Sequence, residues 1–448
     1  MSQFDLAILG GGTAGLAAAR QGSDMGARVC LVEMDALGGH YLNRGLHPVR
    51  TLLAEPEFGT VRPVDWEGVR TRFPMIAKAA SNKARHDLEA SGVTLIEGKG
   101  TLAGTGILRV ETEKGKQEVQ AANVVLAMGS DAESIATVPF DEDTILPVDR
   151  FLELEKLPES ILILGDGVAV IETALFFNRL GTRVFLCNEQ KRMVADRDPE
   201  LIDVLETGLK RAKVKSLFNK KILSILKQDN GIDITLDGGI KFSVEKILVG
   251  YRRVGRTPGS LDAAMGMEMG DRREIWADAC MRTSVKNVFA AGSVTGHERS
   301  PEHSSEEGRT AAQNALGKER ILDQGGIPFR LHSNPPLAAV GCRAEDAHHK
   351  GYLKPVEGRY NGLPLNADEI PGQGGGFCKL LADRESRKVI GAQISGIGAS
   401  EMLTLATLAI QRGMTVKALT QLLPGFGDSA NGVLEAARAC LRGLTPRR

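Results

Sequence analysis

One pattern occurs twice in this chain and limits what it can fold into: an apolar strand, a glycine-rich turn and a helix, closed by a second short apolar strand. It runs from Asp5 to Gly26 and again from Ser160 to Gly181, with RVCLVE and RVFLCN as the closing strands. Asp5 and Ser160 lie about 155 residues apart, too far for a solenoid repeat and right for two separate nucleotide-binding βαβ domains. At 448 residues, 42% of them apolar, the chain is long enough for two or three cored domains.

The first copy, GGGTAG, is complete. Gly10, Gly12 and Gly15 stand at GxGxxG spacing around Thr13 and Ala14, and acidic Glu33 closes the next strand. Gly10 permits the tight turn, Gly12 lets backbone approach a pyrophosphate at a positive helix end, and Gly15 lets helix pack on strand. Glu33 can accept hydrogen bonds from an adenosine ribose. A bare GxGxxG also joins strands to helices without any ligand, but strand, helix and acid in register predict a dinucleotide site.

The second copy is less complete. GDGVAV supplies Gly165 and Gly167 but carries Val170 at the third position, and Asn188 stands where the ribose is read, followed by Glu189 with Lys191 and Arg192 nearby. A carboxylate there favours NAD and a basic group NADP, so the sequence leaves the choice open, and with it whether the unit is a working nicotinamide site or a relic of the fold.

Between the copies lie a charged helical stretch (Val64 to Gly92) and alternating strands (TLIEGKGTL, ILRVETEKG, NVVLAMGS). After the second come hairpin-like alternation around a DGG turn, the strand KILVGYR, GRTPG, and NVFAAGSVTG followed by a helix over EEGRTAAQNALG. From about Ile327 the texture changes to that of a separate α+β domain, with strands FCKLLAD and KVIGAQISG and the helix SEMLTLATLAIQRG.

Lysine plus arginine equal aspartate plus glutamate at 56 each, so no broad field draws a polyanion or an anionic membrane. The N-terminus enters a strand without an export signal, and the most apolar stretch, Ile161 to Phe177, is broken by Asp166, Glu172 and two glycines, so no membrane span is expected. Six cysteines, no two closer than about 36 positions, exclude CxxC metal knuckles and local redox pairs, and suit single buried thiols in a reducing cytoplasm.

In this order the parts resemble the pyridine nucleotide-disulfide oxidoreductases, a family that includes dihydrolipoamide dehydrogenase, glutathione reductase and mercuric reductase. LGGHYLNRGLHPVRTLL is similar to the family's redox segment, LAMGS with Gly129 and GRTPG to its domain-crossing segments, NVFAAGSVTG to its second FAD motif, and GGGFCKLL through IQRGMTV to its dimerisation domain. The resemblance implies a discontinuous FAD domain (1–145 and 259–325), an NAD(P) domain (146–258) and a C-terminal dimerisation domain (326–448) of a homodimer. Near the flavin it places Gly39, Tyr41, Leu46, Gly292 and Ser293 in addition to the first glycine turn.

Departures from the pattern matter as much. The family has Cys-x4-Cys where this chain has Tyr41 and Leu46. Its active-site lysine is replaced by Arg50, a cation that the resemblance pairs with Glu172 beside the flavin. The C-terminal His-Pro and the glutamate of the acid/base dyad become Phe426, Gly427 and Asn431. Ser293 replaces the usual aspartate of the second FAD motif, and Val168 replaces the aromatic gate over the flavin.

Without thiols or their proton-transfer partner, dithiol chemistry is excluded and another reaction is expected. The leading reading is an FAD-dependent NAD(P)H oxidoreductase that passes electrons directly to a quinone or diaphorase-type acceptor. A relay to a redox protein and a non-catalytic nucleotide sensor are the alternatives. Two readings of His47 stand open: a proton donor to the acceptor, or a side chain bonding backbone at the His-Pro turn. Tyr41 is expected to pack near the flavin, and Arg252, Arg253 and Arg256 to serve an anionic substrate or to lie solvated.

Overall fold

The computed structural model describes residues 3–54, 66–257, 265–296, 300–364, 374–425 and 429–445. Phe426 and Gly427, expected at the lost dyad, lie outside them. The chain divides into two compact units, the first comprising 1–165, 179–182 and 222–322, the second 166–178, 183–221 and 323–448.

The repeated pattern folds as expected. Strand β1 (Phe4–Leu9), helix α1 (Thr13–Asp24) and strand β2 (Val29–Glu33) form the first βαβ unit. A short helix α2 (Gly39–Asn43), α3 (Leu46–Ala54) and the long α4 (Trp66–Ala90) follow. The expected His-Pro turn is therefore helical: His47 and Pro48 fall in the first turn of α3, where proline's missing N–H costs no hydrogen bond.

Next come β3 (Thr94–Glu97), β4 (Lys99–Gly104), β5 (Ile107–Thr112) and β6 (Gly115–Leu126). One sheet results, in the order β3-β2-β1-β6-β5-β4. β6 is divided by its sequence. The polar end GKQEVQ pairs antiparallel with β5, whereas the apolar end ANVVL pairs parallel with β1 and buries Val124 and Leu126 among core side chains. Short β7 (Ser130–Ala132) and β8 (Ile145–Pro147) lead to β9 (Ser160–Gly165), the strand of the second pattern.

Helix α5 (Val168–Arg179) and strand β10 (Arg183–Asn188) complete the second pattern, and α6 (Pro199–Arg211) and β11 (Lys215–Phe218) extend it. Residues Val170 to Phe177 of α5 are all buried, so the valine at the third glycine position packs into apolar surroundings. The hairpin expected around DGG is a three-stranded antiparallel meander of β12 (Ile222–Gln228), β13 (Gly231–Leu236) and β14 (Lys241–Val244). β15 (Lys246–Gly250) pairs in parallel with β9 and β8, and β16 (Arg253–Gly255) pairs with β7.

β17 (Val288–Ala290) joins the first sheet through β6, and α7 (Pro301–Ala315) packs on α1 where Gly308 lets the backbones meet. This helix begins well before the EEG of its sequence pattern. Ser300 caps it by accepting from the His303 N–H at 3.2 Å, and Pro301 opens it. The C-terminal sheet runs β18 (Phe329–Leu331), β19 (Leu337–Gly341), β22 (Val389–Ser395), β21 (Gly374–Ala382), β20 (Val356–Gly362), all antiparallel. Helices α8 (Ala399–Gln411), α9 (Val416–Leu419) and α10 (Asn431–Leu444) close a continuous apolar core with it. Among the described residues no helix is long and apolar enough to cross a membrane.

Candidate functional site

A cleft of about 740 Å³ opens at the carboxyl end of β1, on the first glycine turn. Gly10, Gly12, Thr13, Ala14, Glu33, Gly39, Tyr41, Gly129, Gly292 and Ser293 all line it. Gly15 lies beneath, where a Cβ would strike the Gly10 carbonyl, so that position is set by strand-helix contact rather than by a ligand. Gly10, at φ 105°, turns so tightly that a side chain would overlap the Ala127 carbonyl.

The cleft fits a dinucleotide. Gly12 is the N-cap of α1 and supplies no side-chain cap, so the first N–H groups of a twelve-residue helix meet the cleft without an internal partner. A Cβ on Gly12 would find only the Gly39 α-carbon, 4.0 Å away, so the turn presents bare backbone to a pyrophosphate. Across the cleft, Gly292 at φ 82° closes on the Ala14 methyl, and its N–H donates to Glu307 Oε2 at 2.7 Å. Glu307 is fully buried on α7, and no spacing in the sequence pointed to it.

Glu33 sits where the sequence places it, and its carboxylate is already ordered by backbone. Oε2 accepts from Gly11 N–H at 2.5 Å, and Oε1 accepts from Met34 and Asp35 N–H at 2.8 Å each. This pins the glycine turn to the end of β2. Oε2 keeps a further lone pair, enough to accept from a ribose hydroxyl.

On the wall formed by α2 the structure builds a charged chain that the sequence did not reveal. Arg256 donates from Nη2 to His40 Nε2 at 3.1 Å and from Nε to Asp131 Oδ1 at 2.7 Å. On the other side of the ring, His40 Nδ1 lies 2.7 Å from Asp149 Oδ2. Arg253 completes the chain with bonds to Ser130 Oγ at 2.9 Å and to Asp149 at 3.5 Å. Although nearly buried, Asp149 is held well below the usual carboxylate range, because His40 and Arg253 outweigh the desolvation that pushes it up. Arg253 and Arg256 thus belong to the fold around the cleft, not to a solvated surface patch.

Leu46, His47 and Arg50 sit on α3 outside the lining. His47 stacks on Tyr41 with ring centroids 5.8 Å apart, and its Nδ1 lies 3.2 Å from the Thr51 hydroxyl. Burial, reinforced by the charge of Arg50, lowers its pKa below 6.5. Arg50 is itself buried. The six cysteines are all free thiols, and none lines the cleft. Burial raises Cys30 and Cys440 to about 12 each, so both stay protonated and inert.

At the second glycine turn, Gly165 and Gly167 adopt φ of 133° and 90°, which only glycine takes without strain. Asp166 Oδ1 accepts from Gly167 N–H at 2.7 Å and from Val194 N–H at 2.9 Å, tying the turn to the loop after β10. Asn188 ends β10 fully buried. Its Oδ1 accepts from Gln190 N–H at 3.1 Å and its Nδ2 points at Met193 Sδ at 3.4 Å. The turn and the N-terminus of α5 fit a nucleotide pyrophosphate, with Asp166 as a competitor for the Gly167 N–H. Deeper in α5, fully buried Glu172 accepts from His332 N–H at 2.9 Å, and His332 Nδ1 lies 3.1 Å from the same oxygen.

Comparison with known proteins agrees with this geometry. Residues 4–317 match the family described as pyridine nucleotide-disulphide oxidoreductase, and 327–424 match its dimerisation domain. Dihydrolipoyl dehydrogenase of Halobacterium salinarum is 29% identical over 98% of this chain and 96% of its own length. Mercuric reductase of Streptomyces lividans is 28% identical over 97% and 96%. The crystal structure of LpdA from Mycobacterium tuberculosis has a TM-score of 0.85 at 24% identity, covering 97% of this chain and 98% of that one. The HOCl-induced flavoprotein disulfide reductase RclA from Escherichia coli has a TM-score of 0.82 at 21% identity, covering 98% and 99%. These two likenesses establish the α/β fold. The chain belongs to the pyridine nucleotide-disulphide oxidoreductase family, FAD-dependent oxidoreductases that use NAD(P)H and carry a C-terminal dimerisation domain.

Proposed function

We propose that this protein oxidises NAD(P)H through bound FAD and delivers the electrons to an acceptor other than a disulfide, a quinone or a comparable small diaphorase-type acceptor. One observation carries the reading. Tyr41 lines the cleft where the family resemblance has a cysteine, and none of the chain's six thiols borders it. The balanced reaction takes a hydride from NAD(P)H and one proton from solvent, and converts quinone to hydroquinone. When bound, FAD supplies the hydride acceptance and the return of electrons.

The chain's own groups bind and orient. The first turn of α1 holds the pyrophosphate against Gly12, Thr13 and Ala14, Glu33 takes the adenosine ribose, and Gly292 lets backbone approach with Ser293 offering a hydroxyl. Arg50 is a fixed cation and Glu172 a fixed buried carboxylate. His47, neutral at pH 7 and engaged with Thr51, acts as a positioning group on Tyr41. The domain boundaries expected from the sequence, and a homodimer built through residues 326–448, belong to the same proposal.

Asp166 favours a second reading, a nucleotide-dependent sensor, because its carboxylate occupies the Gly167 N–H, which a nicotinamide dinucleotide would use. Turnover separates the two. The enzyme reading expects purified, FAD-loaded protein to reduce benzoquinone with NADH or NADPH while leaving lipoamide and glutathione disulfide untouched. Rapid lipoamide reduction, or failure of both nucleotides to bleach the oxidised flavin band without oxygen, overturns it.

A further inference from the structure

We propose that Glu189, not Asn188, reads the adenosine ribose at the second nucleotide site, and that it selects NADH over NADPH. This rests on the reading that the site takes a nicotinamide dinucleotide. In a βαβ unit the group that reads the ribose stands at the end of the second strand, where a carboxylate accepts from the 2′- and 3′-hydroxyls and a cation instead takes a 2′-phosphate.

Asn188 holds that position by number but not by geometry. Both ends of its amide are used inside the protein, on Gln190 N–H and Met193 Sδ, and the residue is 1% exposed. The next side chain, Glu189, is exposed. The strand end therefore offers the ligand a carboxylate and withholds the amide. A carboxylate accepts from a diol, and it repels a phosphate carrying nearly two negative charges.

The obvious phosphate ligand is spent. Arg192 donates from Nε to Glu206 Oε1 at 2.9 Å and reaches Asp203 Oδ1 from Nη2 at 2.5 Å, so two carboxylates of α6 hold one guanidinium. Asp166 adds a further negative charge through its bond to Val194 N–H in the same loop. Lys191 is the exposed cation that opposes this arrangement, two positions beyond Glu189. At α6 the loop is anchored by Asp198, which caps the helix through Glu200 and Leu201 N–H and accepts from buried Lys379 Nζ at 2.8 and 2.9 Å. The charges are thus presented on a fixed backbone.

Equilibrium dialysis of the full-length FAD-loaded protein with NAD⁺ and NADP⁺ tests the assignment without turnover, and the flavin spectrum of each variant reports its fold. Wild type is expected to bind NAD⁺ at least about tenfold more tightly, and Glu189→Arg to reverse the order. Asp203→Ala with Glu206→Ala, which frees Arg192, is expected to raise NADP⁺ affinity alone. Equal or tighter NADP⁺ binding by wild type overturns the proposal, as does an unchanged ratio in Glu189→Arg. NADP⁺ affinity that disappears in Lys191→Ala overturns it in favour of that lysine. Binding of neither dinucleotide overturns the underlying nicotinamide reading together with it.

Discussion

The two glycine turns share one pattern and differ in what they offer a ligand. At the first, α1 begins on bare backbone, with Gly12 as N-cap and the nearest carboxylate, Glu33, turned to hold Gly11 N–H. At the second, a carboxylate stands in the turn itself, with Asp166 on Gly167 N–H, and the ribose position is buried. The first arrangement suits a resident cofactor held by oriented N–H groups. The second suits a coenzyme that must arrive and leave, since every charge it meets near the turn is already partly satisfied. The two turns thus differ chiefly in where their carboxylates stand.

Several changes break or sharpen this contrast. The largest effect is expected from Lys379→Met, which strands the Asp198 carboxylate beneath the second site and should lower unfolding free energy by about 3–5 kcal/mol, read by denaturant titration. At the first site, Gly15→Ala forces a Cβ onto the Gly10 carbonyl. We expect a loss of about 1–3 kcal/mol and a protein that purifies without its yellow flavin, whereas the same substitution at Gly68, with open space around its Cβ and no positive φ, should keep the flavin.

Smaller is the effect of Asp166→Asn, expected to tighten NAD⁺ and NADP⁺ equally, by about two- to fivefold, because it removes a negative charge from a helix N-terminus without touching the ribose position. Dialysis reads it, and a change in the NAD⁺ to NADP⁺ ratio would contradict it. The smallest is a pH effect. Arg359, then Lys379, hold the Glu200 carboxyl down to about 2 from 4.5. Its folded pKa lies below the unfolded one, so its contribution to stability is complete above pH 4.5 and is lost as the pH falls toward about 2. Glu200→Gln should flatten that part of the acid unfolding curve.

The first site was legible because its chemistry is local. Gly10, Gly12, Gly15 and Glu33 act through backbone geometry within one βαβ unit, and spacing alone locates them. Pairs that join distant parts of the chain were not legible. His40 meets Arg256 across 216 positions, Glu172 meets His332 across 160, and Lys379 meets Asp198 across 181, and no periodicity records such pairs. Asn188 shows a subtler gap. The sequence places it at the strand end, but only the structure shows that its amide is engaged by Gln190 and Met193. The start of α7 was missed for a local reason, since the cap at Ser300 and Pro301 precedes the apolar pattern that the helix was recognised by.

The central claim is that electrons leave the flavin without passing through a thiol pair, and counting electrons tests it most directly. A flavin takes up two electrons, and a redox-active disulfide takes two more. Anaerobic dithionite titration of the FAD-loaded protein should reach the fully bleached flavin at two electrons per FAD. An end point of four would place a disulfide in the path and contradict the account.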